Sequence, residues 1–63
     1  MNNTVELMKG HWDTFLSEND KFTGKGVKAS ASRARKSLGE LSKLIKARRK
    51  EIMEEKAALA AKA

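Results

Sequence analysis

The sequence predicts an all-α protein: an antiparallel helical hairpin with a short first helix and a long second one. Three observations lead there. The 63 residues include no proline and are rich in Ala, Lys, Glu and Leu, which are strong helix formers. One strong breaker occurs, Thr23-Gly24-Lys25-Gly26, with two glycines in three residues. Apolar residues on either side of it recur at helical spacing.

The first helix is expected at about 4–22. Asn3 or Thr4 is its candidate N-cap, with Glu6 in the first turn. Val5, Met8, Trp12, Phe15, Leu16 and Phe22 fall on one stripe. Gly24 is placed to end the helix in a left-handed cap, and 23–27 form the turn. Gly10 and Gly39 lie inside the periodic patterns and weaken their helices without ending them.

The second helix is expected at about 28–60. Its stripe is Ala31, Ala34, Leu38, Leu41, Ile45, Ile52 and Leu59, with Leu44 at the border. This heptad spacing is that of a coiled-coil or bundle seam. Val5, Met8, Trp12, Phe15, Leu38, Leu41, Ile45 and Ile52 are therefore the expected core and dimer contacts. Arg48 interrupts the seam. Its two readings are a side chain snorkelling past the edge, which is preferred, and a register-setting or partner-facing group. The second helix outruns the first by on the order of 20 Å, and its stripe continues into the overhang. That predicts a homodimer of two hairpins in a four-helix or coiled-coil arrangement.

A single domain over 1–63 is all this length allows. With no cysteine and one His, disulfides and thiolate zinc sites are excluded, and no metal or other cofactor is expected. The longest apolar run, Ala57–Ala61, is far short of a membrane span. No signal peptide is visible, which suggests a cytoplasmic or nucleoid protein, or a virion-associated one if viral. Nor is there an enzyme. His11 and Asp13 are two apart and do not face each other on a helix. Thr23–Lys28 lacks the spacing of a phosphate loop. No small-molecule substrate is expected.

Charge is the informative feature. The net charge is +6. Residues 25–50 carry ten Lys or Arg against Glu40 alone, whereas the two ends are mildly acidic. At about 100° per residue, Lys28, Arg35, Lys36, Lys43, Lys46 and Lys50 gather on the side of the second helix away from its apolar stripe. Ser32 and Gly39 fall inside this basic stripe and would let a phosphate come close. A solvated face made for solubility would intersperse both signs. A polyanion partner explains the segregation better, and phosphate contact with little sequence preference is the expected mode. An anionic membrane fits less well, because the apolar stripe already has a counterpart on the first helix. Two further readings stay open: a structural or adaptor coiled coil binding an acidic protein, and an RNA-binding protein.

Gly26 to Glu51 reads G-V-K-A-S-A-S-R-A-R-K-S-L-G-E-L-S-K-L-I-K-A-R-R-K-E. This stretch resembles the chlamydial-type histone-like nucleoid proteins, a bacterial linker-histone-like family. The pattern falls without gaps on Gly26, Lys28, Ala29, Ala31, Arg33, Arg35, Leu41, Lys43, Lys46, Arg49, Lys50 and Glu51. The resemblance implies binding of double-stranded DNA and nucleoid compaction, with phosphate contacts from Lys28, Arg33, Arg35, Lys43, Lys46, Arg49 and Lys50. Lys25 and Lys36 join this set from the charge map alone. Chlamydial members carry a long Lys-rich tail; the expectation here is contact, and bridging or compaction, through helical faces.

Overall fold

The computed structural model describes residues 2–62. They form two helices, α1 (Asn3–Lys25) and α2 (Lys28–Lys62), with Gly26 and Val27 between them. There is no strand among the described residues.

Helix α1 starts earlier than the capping pattern suggested. Asn2, in extended conformation, is the N-cap, and its side chain accepts from the Val5 amide at 3.2 Å. Using Asn2 leaves the Thr4 hydroxyl free for a contact across the hairpin. The far end also differs. Gly24 stays helical, and the left-handed cap falls on Gly26, at φ 70°. Its amide donates to the Phe22 carbonyl at 3.0 Å, and that of Val27 to Lys21 at 3.3 Å. Helix α2 begins at once, with the Ser30 amide donating to the Val27 carbonyl at 3.1 Å.

So short a turn forces the helices together, and that selects which face of α2 meets α1. The contact line on α2 is Ser30, Ala34, Ser37 and Leu41, all buried, followed by half-buried Leu44, Arg48 and Glu51. Opposite it stand half-buried Thr4, Met8, His11, Phe15 and Glu18 of α1. Small residues nearest the turn let the backbones approach. This line shares Ala34 and Leu41 with the predicted stripe, but elsewhere it is rotated by one residue. Leu38, Ile45 and Ile52 are 44%, 46% and 51% exposed, and Trp12 is 49% exposed, stacked on Phe15 with ring centroids 5.3 Å apart. Within the hairpin these four are flank residues, not core.

Arg48 does not snorkel into solvent. Its Nη1 donates to Glu51 Oε1 at 3.0 Å and to Glu55 Oε2 at 2.8 Å. Glu55, otherwise exposed, is thereby engaged in an ion pair. Glu51 also accepts from Thr4 Oγ1 at 2.6 Å and from Asn2 Nδ2 at 3.2 Å. This latch fixes the start of α1 to the middle of α2. Residues 52–62 extend beyond it by about 16 Å.

The molecule measures 54 × 17 × 13 Å. Its radius of gyration is 15.9 Å, against about 11 Å for a compact domain of this length. Its surface of 5147 Å² compares with about 4,000 Å² for a compact monomer of this mass. Ala34 and Leu41 are the buried apolar residues among those described, so a single hairpin holds very little core.

Candidate nucleic-acid interface

Helix α2 is continuous from Lys28 onward, so its charges keep a fixed helical arrangement. Helix α1 covers the line Ser30–Ala34–Ser37–Leu41. At about 100° per residue the opposite side carries Lys28, Arg35, Lys46 and Lys50 within about 60°, with Lys43 and Lys36 on its margin. All nine of the predicted basic residues, Lys25, Lys28, Arg33, Arg35, Lys36, Lys43, Lys46, Arg49 and Lys50, are exposed.

They are not equally free. Arg33 turns toward α1 and lies 3.6 Å from Glu18, and Lys43 lies 3.8 Å from Glu40. Among the described residues the other seven make no ion pair within 4.0 Å. Like charges at these spacings repel. Uncompensated cations on an exposed helix face are what a polyanion would neutralise.

The fold does not gather all nine into one patch. Lys28, Arg35, Lys46 and Lys50, with Lys36 and Lys43, form the face behind α2. Arg33 sits on one flank of the hairpin, beside a cleft of about 290 Å³ shared with His11, Thr14, Lys36, Ser37 and Glu40. Arg49 sits on the other flank. There, with Lys46 and Lys9, it rims an open groove of about 740 Å³ whose floor is Val5, Met8, Trp12, Leu38, Leu41 and Ile45. The groove was not foreseen as a separate surface, although Leu38 and Ile45, seven apart, were its signal.

Two carboxylates sit where they stay ionised. Glu51 is held below the ordinary carboxylate range first by the Thr4 hydroxyl, then by Arg48 and Asn2. Glu18 is lowered too, chiefly by the Ser30 hydroxyl, with Lys21 and Arg33 adding to it. Neither Ser30 Oγ nor Glu18 Oε2 reaches a strict hydrogen-bond geometry, so the hydroxyl acts as a nearby dipole rather than a formed bond. Arg48 is raised by Glu51 and then Glu55 and stays a cation. These groups brace the hairpin, and their charges are spent on one another. No group of three metal-ligating side chains occurs among the described residues. No helix among them is long and apolar enough to cross a membrane.

Fold and face together define a class: a small, strongly basic, all-helical protein with most of its unpaired cations along one long helix. A family model described as histone H1-like protein Hc1 matches residues 2–58, and the chain belongs to that family. The resemblance carried by Gly26 to Glu51 is thus borne out, and the match extends it across α1. No curated protein and no solved structure matches the chain.

Proposed function

We propose that the protein is a histone-like nucleoid protein that binds double-stranded DNA without sequence preference, through phosphate contacts from one face of α2. One observation carries this reading: seven exposed Lys and Arg residues in 25–50 have no ion pair among the described residues, on a chain of the histone H1-like Hc1 family. Lys28, Arg35, Lys46 and Lys50 are the central contacts. Lys36 and Lys43 extend them, Lys25 adds to them from the last turn of α1, and Arg33 and Arg49 reach phosphate from the flanks. Base reading is not expected, because Asn and Gln are absent from α2. The setting that fits such an activity is the nucleoid.

We also propose that the working form is a homodimer. The groove floored by Val5, Met8, Trp12, Leu38, Leu41 and Ile45 supports this, as does the apolar overhang bearing Ile52 and Leu59. The surface in excess of a compact monomer is of the same order as the roughly 800 Å² per partner that a standard interface buries.

Fluorescence anisotropy with two duplexes of unrelated sequence, across a salt series, tests the DNA reading. Similar affinities and a steep fall with salt are expected. Negligible binding at about 100 mM salt would overturn it in favour of an acidic protein partner. Preference for structured RNA over duplex DNA in competition would redirect it to RNA.

A further inference from the structure

We infer that the groove receives a second copy of this chain in one particular arrangement: α1 of each hairpin lies over α2 of the other, about a two-fold axis parallel to the helices. The inference rests on the dimer reading above and adds to it the partner's orientation and its consequence for DNA.

Two isologous pairings can bury the groove. With the two-fold axis along the helices, α1 covers the partner's α2. With the axis across the helices, α1 covers α1 and α2 covers α2. The apolar floor suits both. The edges do not.

On α2 the groove is edged by Ser42, Lys46 and Arg49, with Arg35 beside them by helical spacing, and none of these is an acid. Pairing α2 with α2 would press two such edges together, and like charges set opposite one another in an interface are costly. On α1 the groove is edged by Lys9, already 3.8 Å from Glu6, and beyond Lys9 by helical spacing stand Asp20, Asp13 and Glu6. Asp13, Asp20, Arg35 and Arg49 are exposed. Laying α1 over α2 therefore sets an acidic edge against a basic one, twice per dimer.

The register agrees. An axis parallel to the helices keeps every residue at its own height. The latch puts Thr4 level with Glu51 within one hairpin, so in the dimer Asp20 stands level with Arg35 across the interface. Asp13 stands level with Ser42, one turn from Lys46; Lys9, level with Lys46, is compensated by Glu6 beside it, which stands level with Arg49. Each neighbour in the bundle is then antiparallel, and Leu38 and Ile45 meet Val5, Trp12 and Leu16.

This orientation has a mechanical result. The basic face of each α2 points away from its own α1. With α1 over α2, the two basic faces look out from opposite sides of the bundle, and one dimer joins two duplexes. The rejected pairing would put both faces on the same side, along a single duplex.

The test begins with the mass of the unmodified chain by light scattering across concentration. A monomer at every concentration overturns the dimer reading and this arrangement together. Given a dimer, two variants decide the orientation. The chain lacks cysteine, so a D20C/R35C chain reports one contact. Its two thiols lie on the outer sides of different helices and cannot meet within a hairpin. Mild oxidation is expected to give a covalent dimer, whereas D20C alone and R35C alone stay uncrosslinked. The second variant, D13K/D20K, keeps every basic residue. It is expected to raise the dimer dissociation constant about tenfold at low salt. It is also expected to lose retention of a labelled duplex by an immobilised one while still binding single duplexes. A dimer whose D20C/R35C chain does not crosslink, or whose stability D13K/D20K leaves unchanged, overturns the arrangement and leaves the dimer reading standing. Far-ultraviolet circular dichroism checks that both variants remain helical.

Discussion

Removing Lys46 and Lys50 together is the sharpest probe of the basic face. Both are exposed, neither has an ion pair among the described residues, and both lie in the central sector with Lys28 and Arg35. From Lys28 to Lys50 the helix runs about 33 Å, close to one turn of duplex, so four phosphates per hairpin are within reach. Each neutralised phosphate contributes about −0.9 to the slope of log affinity against log salt, so the four central contacts contribute about −3.6. Between about 50 and 200 mM salt, that contribution alone lowers affinity about 150-fold. The K46A/K50A chain loses two central contacts, so its slope should be shallower by about 1.8 and its fall over the same range about 12-fold smaller. Anisotropy with a labelled duplex measures both. K56A is the control: Lys56 lies beyond the latch and outside the basic segment, and its loss should leave the slope alone. An unchanged slope for K46A/K50A would refute the reasoning, because phosphate would then be held elsewhere on the chain.

Two other predictions concern the scaffold. No side chain or distant atom lies within 4 Å of a Cβ built at Gly10, Gly24 or Gly39. Alanine at each should therefore raise stability by about 0.5–1 kcal/mol in urea titrations. Gly26, at φ 70°, should instead lose about 1 kcal/mol as G26A. Gly39 also lies in the basic face, so weaker DNA binding by a stabilised G39A chain would mark close phosphate approach there. The acid limb of stability is set by Glu51 and Glu18, whose pKa values are lowered by folding. As pH falls through the ordinary carboxylate range the unfolded chain takes up protons first. Stability is thus full above that range and lost as pH falls through the folded-state values. Urea midpoints across pH should show this, and E51Q should flatten the acid limb.

Much of this architecture was legible from residue types. The lack of proline, the glycine pair and the apolar periodicity led to two helices and a turn. The basic face was legible too, because helical geometry alone turns a list of lysines into a side. The face that meets α1 was not. Bulky Leu38 and Ile45 dominate a hydropathy reading, whereas Ser30 and Ser37 count as polar. Yet the two-residue turn leaves room there for nothing larger than such side chains. The cap moved from Gly24 to Gly26 because both glycines permit a left-handed residue, and nothing local distinguishes them. The Thr4–Glu51 contact joins residues 47 apart in sequence, beyond what local pattern conveys. Arg48 looked like a defect in a seam, and only that contact explains its place.

The meagre seam of Ser30, Ala34, Ser37 and Leu41 bears on turnover as well as shape. A hairpin held by so little apolar contact opens readily when it stands alone, and proteolysis follows the population of the open form when opening is fast. Anything that engages only the closed form withdraws the chain from that fate. Surplus copies would be cleared while engaged copies persist. The weakness of the seam would then match the amount of protein to the places available for it, without a dedicated regulator.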